Sequence, residues 1–385
     1  MNNEFKKKAI LLVNLINKLN KKKPVYLSIP DITSSDISTI SNELKKNNVA
    51  IGNYTKKFIA KLKIITNSNN LLLTANGTVA LYASLVSENI GKNDEILVPS
   101  LNYIASVNAI LACKGTPHFI DSSLNDFGVD FEKLEIYLQN ITKIKKNFTI
   151  NKFTKKKIKA LMLTHVFGHA TNLSKAKKIC KKYKLVLIED AAEALGTKYK
   201  NRHVGTFGSY GVISFNGNKI ITSGGGGALI VKNNNKYKKL KKIIDNGKIF
   251  DNFNFLHNHF GLNLNLSNLN ASLGYSQLKK LKNKIKQRKL LFKIYSKLNN
   301  DKFEFVKKPA NSESNFWLQA VRLKNKKEKN FLQNFLYKNK IQTRSIWKPN
   351  HLFNHLKKYP KMNLDNSLKL YDTIINVPSS INLKS

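Results

Sequence analysis

Short apolar runs punctuate the chain at residues 71–74, 95–98, 116–121, 160–167, 185–190 and 210–215. Gly, Pro, Asn or charged residues bound them, so they read as strands of a sheet covered on both faces. The stretches between them are long enough for crossover helices, and in 78–86, TVALYASLV, apolar residues fall at helical spacing. The alternation predicts a mainly parallel sheet with helices on both sides. Within residues 1–28 an apolar stripe broken by Asn14 and Asn17 predicts an amphipathic helix with a lysine-rich exit. Helices are also predicted at 31–48, after the turn at 50–54, at 237–246, at 328–338, and from 267–281 into a long helix ending near residue 298. The polar insertion at 140–160 predicts a surface hairpin, 255–266 is less regular, and 317–323 reads as a strand. The expected organisation is an N-terminal helical segment (1–50), a large α/β domain (51–265), and a linking helix with a smaller α+β domain (266–385).

Charge complicates this picture. The formal net charge is +44, from 67 Lys+Arg against 23 Asp+Glu, which alone suggests a non-enzymatic nucleic-acid-binding protein. Yet only Arg202, Arg288, Arg322 and Arg344 are arginines, although arginine's planar fork suits phosphate recognition best. Lysine, asparagine and isoleucine are abundant together, as in a coding sequence biased towards A and T. The charge therefore reads as solvated surface, with weak salt-sensitive adhesion to polyanions and no specific nucleic-acid partner. Two cysteines, Cys113 and Cys180, fit a reducing cytoplasm and no disulfide framework. His165 with His169, and His257 with His259, lack a third ligand and read as structural, so no metal is expected. The leader has no small-residue cleavage site, and no apolar run approaches the ~20 residues of a membrane span.

The candidate chemistry centres on residues 205–227, GTFGSYGVISFNGNKIITSGGGG, which place Lys219 between an apolar strand and four glycines. A lysine held on a turn among small residues is suited to trapping a carbonyl as a Schiff base; the alternative is one more solvated surface charge. Upstream, LVLIEDAAEALG runs an apolar strand into Asp190, at the strand end where open α/β sheets bind ligands. Asp190 either caps a following helix or, paired with Lys219, holds the ring nitrogen of pyridoxal phosphate. The 75–78 turn, Ala-Asn-Gly-Thr, opens the 78–86 helix after the first strand and can cradle a phosphate on unpaired helix amides.

The motifs EDAAEALG, GTFG and SFNGNKIITSGGGG, together with the ANGT turn, resemble the DegT/DnrJ/StrS family of pyridoxal-phosphate sugar aminotransferases. The likeness runs from Ile51-Gly52 to INVPSS at 375–380. The 140–160 insertion and the TRSIWKPNHLF stretch bring it nearest to the branch serving legionaminic-acid and bacillosamine-type surface glycans. The resemblance implies the fold type I architecture of aspartate aminotransferase, with a mainly parallel large domain and a smaller C-terminal α+β domain. It implies that Lys219 carries pyridoxal 5'-phosphate and moves the proton, that Asp190 keeps the ring nitrogen protonated, and that Glu193 accepts from the ring hydroxyl. Tyr103 would stack on one ring face with Ala191 or Ala192 against the other, and Gly77, Thr78 and Ser214 would hold the phosphate. Asn263 would reach the phosphate in a neighbouring subunit of a homodimer. Where relatives often carry an arginine this chain has Asn265, removing one phosphate-binding charge.

The implied reaction moves an amino group from L-glutamate to the 4-keto group of a UDP-linked 2-acetamido-4-keto-2,6-dideoxy sugar. Arg344, Trp347 and His351 are the candidate substrate contacts, with packing in the small lobe as the alternative. A GDP-4-keto-6-deoxymannose aminotransferase of the perosamine type would use the same cofactor residues. Relatives that dehydrate the sugar carry histidine at the Schiff-base position, against which Lys219 stands. A degenerate, inactive homologue is disfavoured by the intact Lys219, Asp190 and Thr78.

Overall fold

Alternate residues of the central strands enter different hydrophobic clusters, because successive side chains of a strand face opposite ways. Leu72, Val212 and Leu229 pack in one cluster, whereas Leu71, Leu73, Ile213, Ala228 and Ile230 pack in the other. A computed structural model of the chain describes residues 3–20, 22–249, 251–300 and 303–380, so the outer ends of the expected 1–50 and 266–385 segments lie outside the described residues.

The central strands follow the order Leu71–Thr74, Gly227–Val231, Tyr210–Ser214, Val186–Asp190, Lys157–Thr164, Asp94–Pro99, Thr116–Ile120. Gly227–Val231 is antiparallel to both of its neighbours, and the remaining pairings along this path are parallel. The fold is thus the expected α/β sandwich with a mainly parallel sheet. Gly227–Val231 was hidden by its glycines. A Cβ at Gly227 would lie 2.6 Å from the Asn76 carbonyl carbon, so glycine is what lets this strand pass against the 75–77 turn.

Other boundaries differ from expectation for local reasons. The strand expected at 160–167 ends at Thr164, and Val166–Gly168 forms a short 3-10 turn in which Phe167 has φ 55°. The long helix expected from 267 divides into Asn268–Lys279 and Leu281–Tyr295 at Lys280. The insertion is a hairpin, Thr142–Ile144 with Thr149–Asn151, whose second strand joins the main sheet beside Lys157–Thr164. It is pinned from beneath by Glu95, fully buried, which accepts from Asn151 Nδ2 at 3.0 Å and sits 2.8 Å from His118 Nδ1.

The smaller lobe is a four-stranded antiparallel sheet ordered Phe303–Phe305, Gln319–Leu323, Ile374–Val377, Arg344–Ser345. The N-terminal helix, Asn3–Leu19, belongs to it: Phe5, Ala9, Leu12, Val13 and Ile16 share a core with Tyr295, Phe303, Phe305, Val321 and Leu336. The expected 1–50 segment is therefore divided. Its second helix, Ser34–Lys45, instead packs on Asn268–Lys279. Among the described residues no helix is long and apolar enough to cross a membrane.

Asp36, fully buried, ties that second helix down by accepting from Lys280 Nζ at 2.5 Å and Gln277 Nε2 at 2.8 Å. Burial raises its pKa, but hydrogen bonds from Lys280, Ser276 and Thr33 outweigh burial and lower the carboxyl from 3.8 to about 2. A depressed folded-state pKa contributes stability that is present above the unfolded value and lost as pH falls through the folded one. Acid unfolding should therefore steepen between pH 3.8 and about 2. In Asp36→Asn that component should be missing from the acid limb of a pH-dependent melting series, with lower stability at neutral pH.

Candidate active site

Phe215, at the end of the Tyr210–Ser214 strand, closes the base of the lysine loop. Its N–H donates to Gly226 O at 2.8 Å and its carbonyl accepts from Ser223 N–H at 2.9 Å. Inside the loop Lys219 N–H donates to Asn216 O at 3.0 Å, a tight turn. The Asn218 carbonyl accepts from Trp317 Nε1 at 2.8 Å and from Ser28 Oγ at 3.0 Å, fixing the peptide that precedes the lysine. Lys219 is consequently no solvated surface charge: its side chain is 13% exposed. Its Nζ sits 3.9 Å from the Trp317 ring centroid and 3.3 Å from Glu193 Oε1.

Asp190 caps no helix, because residues 191–197 form turns. It is buried at the strand end, accepting from Ser106 Oγ at 2.8 Å and from Ala192 N–H at 3.1 Å. Burial pushes its pKa up, opposed by the Ser106 and Ala192 hydrogen bonds and the Lys219 charge. Burial likewise raises Glu193, opposed by Lys219 and by the Phe167 N–H, which donates to Oε2 at 2.8 Å. That bond is aimed by the left-handed backbone of Phe167 and of Gly168, φ 89°, a conformation costly for a bulky residue and common at functional sites.

Glu189, one residue before Asp190, faces the other way and is saturated. It accepts from the N–H groups of Gly205 at 2.8 Å, Phe207 at 2.7 Å and Gly208 at 2.7 Å, and from His165 Nε2 at 3.1 Å. His165 Nδ1 accepts from Thr171 N–H at 3.3 Å, which assigns the proton to Nε2. His165 is a satisfied structural histidine, as expected. His169 is not: among the described residues neither ring nitrogen has a partner, and burial pushes its pKa down to about 4.

The phosphate turn has the expected form. Asn76 caps the helix Gly77–Ser87, its side chain accepting from Val79 N–H at 2.9 Å, and the first helical amides have no intrahelical acceptor. A Cβ at Gly77 would lie 3.3 Å from Ser214 Cβ, so the fold brings Gly77 and Ser214 together, with Thr78 exposed on the same turn. Asn263 is exposed and bridges to Asp245, while the next carbonyl, Leu264 O, accepts from Ala75 N–H at 2.7 Å. Asn265 donates to Asp245 Oδ1 at 3.0 Å. Tyr103 is 59% exposed. Of the two alanines, Ala191 is wholly buried and Ala192 lies at the partly open surface.

The C-terminal candidates are placed by contacts across the lobes. Trp347 packs 5.3 Å from the Phe167 ring, and His351 Nδ1 is 2.7 Å from Ser100 Oγ. Asn350 binds the same segment, its N–H to Ser100 O at 2.7 Å and its Nδ2 to Asn102 O at 2.9 Å. Burial and the Lys361 charge lower the His351 pKa. Arg344 is exposed on its short strand. Ser106 and Trp317 were not legible as site residues. Ser106 stands near Tyr103 with no motif of its own, and Trp317 arrives from the small lobe.

These residues fit pyridoxal phosphate. Free helix amides beside a glycine and a serine suit a phosphate dianion. A buried carboxylate with raised pKa suits a ring nitrogen that must stay protonated, and an enclosed lysine suits a carbonyl. Among the described residues no group of three or more His, Cys, Asp or Glu is placed to hold a metal.

A raised folded-state pKa means the ionised carboxylate opposes folding once pH exceeds the unfolded value. Asp190→Asn removes that charge. The cofactor-free variant should melt at or above the wild-type temperature at pH 7, while kcat of the loaded enzyme falls by about a hundredfold or more.

The model of the DegT/DnrJ/EryC1/StrS aminotransferase family matches residues 30–385. The chain is 30% identical over 329 residues to the GDP-perosamine synthase of Escherichia coli O157:H7, covering 85% of each chain. Its fold superposes on PseC of Helicobacter pylori, an aminotransferase in the biosynthesis of pseudoaminic acid, with TM-score 0.83 at 23% identity over 94% of this chain and 95% of that one. The pyridoxal phosphate form of a Streptococcus pneumoniae protein described as a sugar aminotransferase gives TM-score 0.82 at 22% identity, over 93% and 94%. With Lys219 and Asp190 in place on this architecture, the chain belongs to the DegT/DnrJ/EryC1/StrS aminotransferase family, as a fold type I enzyme whose cofactor is pyridoxal phosphate.

Proposed function

We propose that the enzyme transfers an amino group from L-glutamate to the 4-keto group of a nucleotide-linked 6-deoxy sugar. The observation that carries this reading is the enclosed Lys219, 3.3 Å from Glu193, in a chain that shares 30% identity with a protein named GDP-perosamine synthase. That relative supports GDP-4-keto-6-deoxymannose as substrate at least as well as the UDP-linked 2-acetamido sugar suggested by the TRSIWKPNHLF stretch.

Bound pyridoxal phosphate supplies the carbonyl and the electron-accepting ring. Lys219 Nζ would carry the proton to and from the substrate carbon, from a position beside Glu193 and the Trp317 face. Asp190 would keep the ring nitrogen protonated, with Ser106 Oγ donating to its carboxylate and fixing its orientation. Gly77, Thr78 and Ser214 would hold the phosphate, and Tyr103 and Ala192 would flank the ring. Trp347 and His351 would contact the sugar, with the exposed Arg344 as a third candidate.

This reading includes a homodimer in which Asn263 serves the partner's site. The segment carrying it exposes Phe253, Phe255 and Phe260, at 92%, 86% and 70%. Aromatics exposed to this extent support an association surface on this segment. The free cysteines Cys113 and Cys180 accord with a cytoplasmic setting.

The substrate is named by a half-reaction. Glutamate should convert the bound cofactor to its amine form, bleaching the visible absorbance, and the correct keto sugar should restore it with the mass of an amino sugar. Restoration by the GDP-linked sugar alone assigns the perosamine-type reaction, and restoration by the UDP-linked sugar assigns the other. Failure with both refutes the substrate class. Lys219→Ala should lose the visible absorbance of the covalently held cofactor and its turnover, by about 10⁴-fold or more.

A further inference from the structure

The inserted hairpin and the start of the strand Lys157–Thr164 carry eight lysines between residues 142 and 159, and no Asp or Glu. Strand register assigns faces here, because residues directly opposite on antiparallel strands point the same way. Thr142 with Asn151, and Thr149 with Ile158, are paired and buried, so they form the inner face. Lys143, Ile150 and Lys157 pair across the three strands on the outer face, and both lysines are exposed. The Phe148 ring adjoins them, with Lys157 Nζ 4.9 Å and Lys145 Nζ 6.0 Å from its centroid.

This charge is not neutralised within the chain. Asp94 is paired with Lys159 at 2.9 Å, Glu135 with Lys182 at 2.6 Å, and Glu95 is buried beneath the hairpin. Among the described residues no ion pair reaches Lys143, Lys145, Lys146, Lys152, Lys155 or Lys157, all of them exposed. Between Lys152 and Lys155 the turn lifts Phe153 to 76% exposure, and Ile144 on the edge strand is 45% exposed. Uncompensated lysines flanking protruding apolar side chains match a surface that is anionic outside and apolar beneath, which is the outer layer of a bilayer. Residues 142–159 contain no arginine, the residue best suited to gripping nucleic-acid phosphates. Lys157 opens a strand whose last residue, Thr164, pairs with Asp190, so about 23 Å of extended chain separates the hairpin from the candidate active site.

We propose that this hairpin docks the enzyme on an anionic lipid bilayer, with Lys143, Lys145 and Lys157 against the headgroups and Phe153 inserted at the headgroup boundary. The contact is peripheral and involves no membrane span. Since the hairpin lies at the opposite end of its strand from Asp190, docking leaves the strand-end site free for soluble substrates. The inference does not depend on which nucleotide sugar the enzyme uses.

The test is co-sedimentation of the cofactor-loaded enzyme with vesicles of equal parts phosphatidylcholine and phosphatidylglycerol, and with vesicles of phosphatidylcholine alone. Wild type should bind the anionic vesicles and not the neutral ones. The triple variant Lys143→Gln, Lys145→Gln, Lys157→Gln should weaken binding by about a hundredfold, at roughly fivefold per lysine. The same loss of charge at the exposed Lys232, Lys238 and Lys241, on and beside the helix Asn234–Ile243, should weaken it by about twofold or less, because charges far from the contact are screened. Phe153→Ser leaves the charge unchanged and should weaken binding by about fivefold. The visible absorbance of the bound cofactor reports that each variant is folded, and Phe153→Ser carries the test if the hairpin triple does not fold. Equal losses in the two lysine triples, or no effect of Phe153→Ser, reduce the contact to general charge adhesion and overturn the proposal. Wild type that ignores the anionic vesicles overturns it as well. Tighter binding to a DNA duplex than to those vesicles, lost with the hairpin lysines, reassigns the surface to nucleic acid and also overturns it.

Discussion

Two buried carboxylates and one enclosed amine impose the constraint around which this molecule is arranged. Ionised carboxylates taken out of water are costly unless paired and hydrogen-bonded, and Asp190 and Glu193 sit together at one strand end. Adjacent acids on that strand are treated in opposite ways. Glu189 accepts from three backbone N–H groups and His165, fixing the main chain. Asp190 accepts only from Ser106 and Ala192 among the described hydrogen bonds, so its carboxyl stays raised and responsive to a cationic partner. The pleat makes this division possible, since neighbouring side chains face opposite sides of the sheet.

The amine is held by parts of the chain that are far apart in sequence. Trp317 and Ser28 both bind the carbonyl of Asn218, so the lysine turn is clamped between the small lobe and the segment that follows the N-terminal helix. That helix shares a core with the small-lobe strands. Loosening either element therefore reaches Lys219 through the peptide that precedes it. The same arrangement brings Arg288 and Lys284 to a pocket that the lysine turn also borders. Most of the remaining lysines stand on solvated faces or in half-exposed ion pairs such as Lys182 with Glu135 and Lys308 with Glu313, which add little stability.

Much was legible in the sequence because it was local. Buried strand cores gave themselves away as apolar runs: Leu71–Thr74 has its expected limits, and Val186–Asp190 and Tyr210–Ser214 differ from theirs by a single residue. The Asn76–Gly77 turn and the Lys219 turn declared themselves through residues that permit tight turns. The strand Gly227–Val231 did not, since its first residue completes a glycine run and glycine is required there by contact with Asn76, a neighbour supplied by another part of the chain.

What the sequence by itself determined is the position of most buried strands and helices, the candidacy of Lys219 and Asp190 for cofactor chemistry, and the resemblance to the family, because each is written in short segments with fixed spacing. Tertiary structure alone decided that the N-terminal helix completes the C-terminal lobe, that Trp317 and Ser106 stand beside the lysine and the aspartate, and that Arg288 Nη1 is buried with no partner among the described residues. These are contacts between segments separated by tens to hundreds of residues. No local propensity encodes them, since they follow from how the hydrophobic faces of the elements pack.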